Sequence, residues 1–387
     1  VGVSRDILTH ITILDISVIL MYIIGMAALA RKFRIAGKKF VRLFTLIGII
    51  HLFFTFAYFF YSLENVADSI GYYRRVLYLF NSWWETFGQG AKFIYFSLYP
   101  MVKFIGLTYF GCFFLYAFSG LLGFYFLLNI LIHLCGQNWN PWYYLLLLPS
   151  LHFWSVAIGK DSLIFLGISL LLYTYYFKKP WLNYIIPLLI ISFIRIHILF
   201  FLLVSFGVMQ IFLNENLKFL HKVGIFLILS VIAYSLFPIL LLRIGFVDSE
   251  SIISQIEDLE NVKAIGGTSI DMTDKNIFIK WISYLFRPLF YDAKNLMSIL
   301  VSVENLLWII IFMKIVGRFR KKLITSLKNI YWFSFFSIFT LTIPASYIMY
   351  NLGIAVRQKV MIVPFLFVVF FLSLRPKTLK KNIYETN

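Results

Sequence analysis

Apolar runs of about 17 to 25 residues recur from one end of this chain to the other, each long enough to cross about 30 Å of hydrocarbon as a helix. Inside a bilayer no water satisfies the backbone, so a spanning segment must be a helix or part of a closed barrel. Barrel strands would alternate apolar with polar residues. Continuous runs instead imply an all-α fold, a polytopic transmembrane helical bundle of about eleven spans. The spans are expected at about 11–30, 43–63, 106–132, 142–158, 162–177, 182–194, 198–213, 223–242, 296–314, 330–350 and 358–374. With 61% of residues hydrophobic and 13% charged, the composition lies far from that of a soluble domain. Residues 1–387 are therefore read as a single integral membrane domain, with no soluble domain attached.

Charge gives the expected orientation. The connections 31–42, 178–179, 214–222, 317–328 and 375–387 hold 19 Lys or Arg against two acids, Glu215 and Glu385. Cytoplasmic loops carry such an excess, so these face the cytoplasm. The first outer loop, 64–105, and the second, 243–295, together carry 10 basic and 11 acidic residues and face outward, as does the N-terminus. Residues 1–42 then form an extra N-terminal helix and a basic cytoplasmic loop. The opening VGVSRDILTH has neither the basic region nor the cleavage site of a signal peptide, so the first run is read as a retained helix. The net charge of +18 is gathered in short clusters between apolar runs, which topology explains, and no nucleic-acid partner is expected. Cys112 and Cys135 sit about 34 Å apart along one helix and cannot pair.

The segments 182–194 and 198–213 are short, with Arg195 and His197 between them, and the segments 142–158 and 162–177 are separated by Gly159, Lys160 and Asp161. Each pair reads as a tight outward hairpin above which an aqueous cavity can form. Residues 90–104 of the first outer loop, with aromatic and basic side chains, suit a helix lying along the interface. The polar stretch 248–275 reads as an outer loop.

This topology places Glu64, Asp68, Arg74, Arg75, Lys160, Asp161, Arg195, His197, Arg287 and Arg357 on the outer side. Charges at membrane depth are retained mainly where they pair, meet water or bind something; the plain alternative is a side chain reaching to the headgroups. Asp68 starts a helical segment after the second span, where it is either a helix cap or a carboxylate able to take a proton from an incoming hydroxyl. Lys160 and Asp161 can form a structural ion pair, or the lysine can neutralise a phosphate. Arg195 and His197 can address anionic oxygens or cap carbonyls. Arg357 can grip a phosphate through two parallel hydrogen bonds. No His, Cys, Asp and Glu spacing resembles a zinc site, and Gly266-Gly267 lacks the lysine and helix of a phosphate loop.

Three stretches resemble the GT-C superfamily of integral membrane glycosyltransferases, which use polyprenyl-phosphate-linked sugars on the non-cytoplasmic face. ADSIGY, residues 67–72, is similar to the start of that family's first outer loop with its catalytic aspartate, and matches at Asp68 with Tyr72 beside it. PSLHFWSVAIGKDSLIF, residues 149–165, is similar to its helix, break and helix with a basic-acid pair, matching Lys160 and Asp161. AVRQKVMIVPFL, residues 355–366, resembles its late arginine followed by a basic residue and a proline, matching Arg357, Lys359 and Pro364. The chain departs from the family in its extra N-terminal helix, its single aspartate where an adjacent acidic pair is usual, and its lack of a soluble C-terminal domain.

The resemblance implies an inverting transferase of a bacterial inner membrane that moves a sugar to a glycan or lipid acceptor. Asp68 would be the base, and Arg357, Arg195 and Lys160 would stabilise the departing lipid phosphate, with Tyr72, Asp161 and His197 completing the substrate site. Membrane lipids are the remaining partner; neither metal nor cofactor is expected. A polysaccharide polymerase of the O-antigen or exopolysaccharide type shares the helix count and outward arginines. A transporter of lipid-linked anions is the third reading, with Asp15 and Glu304 as its ionisable residues within helices.

Overall fold

The computed structural model of the protein describes residues 5–65, 67–218, 220–224, 269–272, 275–318, 325–347 and 351–374. Most of the expected span at 223–242 and most of the stretch 248–275 lie outside these residues. Among the described residues the regular structure is helical, apart from one isolated bridge between Ser269 and Asn351. Five helices among the described residues are long and apolar enough to cross a membrane: Ile7–Lys32, Lys38–Glu64, Tyr109–Leu134, Ile196–Leu213 and Leu296–Arg318. Two bent pairs bring the number to seven if each pair is one span. The protein is thus a helical integral membrane protein.

The first bent pair differs in form from the hairpin read at 142–177 in the sequence. The run 142–158 divides into a 3₁₀ turn, Pro141–Leu147, and the short helix α7, Pro149–Ser155. A proline opens each, at a position where the missing N–H would have no partner within the helix. After a break, α8 (Lys160–Tyr176) leaves at 108° to α7. The second bend, of 62°, falls between Leu352–Met361 and Val363–Leu374.

The chain forms two compact units, Val1–Ile196 with Leu374–Asn387, and His197–Ser373. In the first, α1 (Arg5–Thr9), α2 (Ile13–Lys32), α3 (Lys38–Glu64) and α8 all pack against α6 (Tyr109–Leu134), most of whose side chains are buried. Lipid tails are as apolar as leucine, so helices in a membrane associate through close packing and polar links. Both occur on α6. Gly120 lies against the Ser155 carbonyl and the His51 ring, and Gly111 against the Asp15 carboxylate, leaving no room for a methyl group at either glycine.

Asp15 shows why an acid survives here. Fully buried, it accepts hydrogen bonds from the Thr12 N–H (2.6 Å) and hydroxyl (2.7 Å) and from the Thr108 N–H (3.1 Å) and hydroxyl (3.0 Å). Thr12 and Thr108 are the N-caps of α2 and α6, so one carboxylate serves two helix starts whose N–H groups lack partners within the helix.

A second buried polar link joins α3 to α7. His51 Nδ1 lies 3.0 Å from His152 Nδ1, and the outer nitrogens face the carbonyls of Ala117 and Leu146, each at 2.9 Å. Phe124 stacks on the His152 ring at 4.5 Å. Replacing either histidine by leucine is expected to destabilise the protein by about 1–3 kcal/mol, because a buried polar atom then loses its partner. The double replacement should cost less than the two singles together. Thermal unfolding in detergent measures the three variants, and strict additivity would mean that the rings act independently.

In the second unit, α11 (Ile277–Phe286) packs on α13 (Thr325–Tyr347) and on α12 (Leu296–Arg318). Trp281 of α11 donates its indole N–H to the Thr342 hydroxyl (2.7 Å) and stacks on Phe339 (5.4 Å). Ser205 of α10 (Ile196–Leu213) bonds the Thr340 hydroxyl at 2.6 Å, so polar side chains again tie apolar helices together.

Candidate functional site

In the first unit the helix α3 ends at Glu64, and Asn65 takes an extended conformation. The chain then re-enters a helix at Asp68, the first residue of α4 (Asp68–Tyr78), with its exposed carboxylate in the favourable first turn. Tyr72 lies four residues on, hence on the same face of α4 as Asp68. Its buried ring packs against Gly159, where an added Cβ would meet it at 3.5 Å. Two links to the chain beyond fix α4: Arg75 donates to the Tyr95 hydroxyl of α5 (Ala91–Tyr99) at 2.6 Å, and Lys103 donates to the Leu77 carbonyl at 2.9 Å.

Gly159 immediately precedes α8, whose first two residues are Lys160 and Asp161. The Lys160 side chain reaches toward Gly90 of the first loop, since a Cβ there would sit 3.8 Å from its Nζ. Gly90 has φ +68°, a conformation that side chains disfavour. Its N–H donates to the Phe193 carbonyl at 2.7 Å, near the end of α9 (Leu182–Ile194). Phe93 stacks on the Phe193 ring at 5.2 Å and Phe87 packs on it at 5.4 Å. The first loop is thereby docked two residues before Arg195.

Arg195 itself leaves helical geometry, with φ −148° and ψ 82°, and caps the end of α9. Its Nη2 donates to Asp161 Oδ1 at 3.1 Å. Asp161 is 1% exposed and Arg195 15%, so the carboxylate end of this ion pair is buried and the guanidinium is partly so. The Arg195 Nε is also buried, with no acceptor among the described residues. Lys160, Arg195 and Asp161 together carry two positive charges and one negative. The buried Arg195 Nε suits an anionic oxygen.

Of the residues singled out in the sequence, Asp68, Tyr72, Lys160, Asp161 and Arg195 all lie in the first unit, on segments joined by these contacts. Gly90 and Phe193, which bring the first loop to the Arg195 end of α9, were not singled out. The glycine pair in FGQG was the available sign.

His197 and Arg357 belong to the second unit. His197 is the second residue of α10, and Arg357 lies in the last turn of α14 (Leu352–Gln358); both are half-buried. The residues that follow Arg357 are locked in place. Gln358 accepts from the Tyr284 hydroxyl (3.2 Å), and Lys359 donates to the Asn305 side-chain oxygen (2.5 Å), while Asn305 donates to the Pro288 carbonyl (2.7 Å). Leu285, Phe286, Trp308, Phe312 and Lys359 help line a cavity of about 30 Å³ in this unit, enough for a water or two.

Arg287 is committed elsewhere in the second unit. Its guanidinium makes a two-pronged pair with Asp292, with Nε 3.1 Å from Oδ2, and lies 5.2 Å from the Tyr291 ring centre. Burial works against the Asp292 charge, but Arg287 and the Leu289 N–H outweigh it and hold this carboxyl below its usual range. A depressed carboxyl contributes stability above its unfolded value, and that contribution fades as pH falls through the folded one. Unfolding temperatures in detergent should therefore fall on acidification, and Asp292→Asn should remove that part of the profile. An unchanged acid dependence would dismiss the pair as a stabilising element.

Among the described residues no group of three or more His, Cys, Asp or Glu is placed to hold a metal ion. No family model matches the chain, and no curated protein or solved structure is significantly similar to it.

Proposed function

We propose that this protein is a membrane glycosyltransferase that moves a sugar from a polyprenyl-phosphate-linked donor to an envelope glycan or lipid acceptor on the extracytoplasmic face. The observation that carries the reading is the assembly in the first unit. An exposed carboxylate, Asp68, shares a face of α4 with Tyr72, and Tyr72 packs at the start of the helix that bears Lys160 and Asp161. Asp161 is in turn ion-paired with Arg195, whose buried Nε has no acceptor among the described residues.

In the proposed reaction the acceptor hydroxyl oxygen bonds to the anomeric carbon from the face opposite the phosphate. The bond from that carbon to the phosphate oxygen breaks, and the bonding pair leaves on the lipid phosphate. The hydroxyl proton passes to the Asp68 carboxylate, and the sugar is inverted. Lys160 and Arg195 offset the charge appearing on the phosphate. Preorganised cations have little reorganisation to undergo, so this electrostatic part is the larger one in the proposal. The family resemblance supports the donor class. A topology of about eleven spans with the N-terminus outside and a bacterial plasma-membrane location are part of the same proposal.

Sidedness tests it. Labelled polyprenyl-phosphate sugar supplied to right-side-out vesicles containing the protein should be consumed and its sugar transferred to endogenous glycan or lipid, with no energy source. Transfer confined to inverted vesicles would refute the outward-facing site.

A further inference from the structure

The helix that starts at Asp68 lacks the usual fastening. Its N-cap residue is Ala67, which has no side chain able to accept from the first turn, and no side-chain cap is made. The first turn is held from the side. Ser69, next to Asp68, bonds the Tyr109 hydroxyl at 2.9 Å, and the same hydroxyl bonds Ser62 of α3 at 2.8 Å. Ser62 also contacts the Phe59 carbonyl at 2.7 Å.

The protons in this chain can be assigned. A carbonyl only accepts, so Ser62 must give its single proton to Phe59. Tyr109 then gives its proton to Ser62, and Ser69 gives its own to Tyr109. One directed chain results, from Ser69 through Tyr109 and Ser62 to the backbone of α3. Ser62 and Tyr109 are 0% exposed and Ser69 is 1% exposed, so no bulk water competes for these bonds. Tyr109 is the first residue of α6 and stands at the junction of three helices.

We propose that Tyr109 is a positioning residue for Asp68, acting through Ser69. It holds the first turn of α4 so that Ser69 points inward and the Asp68 carboxylate outward at a fixed place. The proposal rests on the assignment of Asp68 as the proton acceptor. Loss of the tyrosine hydroxyl frees the turn, and misplacement of a reacting group by about 1 Å can lower a rate by about 100-fold.

The test measures sugar transfer by Tyr109→Phe, Ser69→Ala and Ser69→Thr, each purified in lipid and normalised to folded protein. Tyr109→Phe and Ser69→Ala should lower kcat by at least about ten-fold at nearly unchanged donor KM, because the donor-binding cations are untouched. Ser69→Thr, which keeps the hydroxyl, should restore most of the rate. If Tyr109→Phe does not fold, the two Ser69 variants carry the test alone. Wild-type kcat in Ser69→Ala, or equal loss in Ser69→Ala and Ser69→Thr, would overturn the positioning role. Failure of the underlying assignment is read separately: full activity in Asp68→Asn removes the base, whatever the Tyr109 and Ser69 variants do.

Discussion

Asp68→Asn is expected to lower the turnover for sugar transfer by about 10²- to 10⁴-fold, the usual contribution of a positioned general base. Asparagine has nearly the same shape but cannot take up the acceptor proton. Asp68 is exposed at the start of a helix, so insertion and thermal stability should change little. Donor KM should also hold, because the phosphate is addressed by other groups, and kcat should carry the loss. A purified Asp68→Asn protein that transfers sugar at the wild-type rate would show that no proton passes to this carboxylate.

The second large effect concerns stability as well as rate. Asp161→Ala leaves the Arg195 guanidinium, 15% exposed, without its counter-charge. Breaking a buried pair by removing one partner costs about 3–5 kcal/mol, and the partial exposure of Arg195 places this one near about 3 kcal/mol. Arg195→Ala should cost a similar amount, since it takes the ion-pair partner Arg195 from a carboxylate that is almost fully buried. The double variant Asp161→Leu/Arg195→Met, which replaces both charges by apolar groups, should recover most of the stability. It should not recover transfer, because the cation proposed to meet the phosphate is gone. Equal stability of all three variants and the wild type in detergent would contradict the buried-pair account. Recovered transfer in the double variant would remove Arg195 from the proposed mechanism.

Much of this arrangement could be read along the chain. Run length alone located α2, α3, α6 and α12, because a bilayer demands long apolar helices and few other settings do. A helix boundary near Gly159 and the break at Arg195 were also legible, since polar residues interrupting apolar runs mark helix ends, although Lys160 and Asp161 belong to the first turn of α8 rather than to the break. The stretch 90–104 was recognisable as helical, and it forms α5 followed by a π-helical turn, Pro100–Phe104.

Other features depend on residues far apart in sequence. Asp161 and Arg195 are 34 positions apart and meet only because α8 packs on α9. The contact of His51 with His152 and that of Asp15 with Thr108 likewise arise from helix packing, to which local periodicity is blind. The run 142–158 was read as one span by its length and apolar character, yet Pro141, Pro149 and Gly159 already punctuate it. Those residues carried the local signal, and length outweighed it. The division of the chain after Ile196 has no counterpart in composition, because both sides are equally apolar there.

The most direct measurement is transfer by the purified protein in lipid, supplied with labelled sugars on polyprenyl phosphate and on polyprenyl pyrophosphate, together with envelope glycan acceptors. The expected result is addition of a single sugar from a monophosphate donor, with inversion at the anomeric carbon and release of polyprenyl phosphate. Chain extension from pyrophosphate-linked glycans would instead identify a polymerase, and no transfer from either class of donor would contradict the glycosyltransferase account.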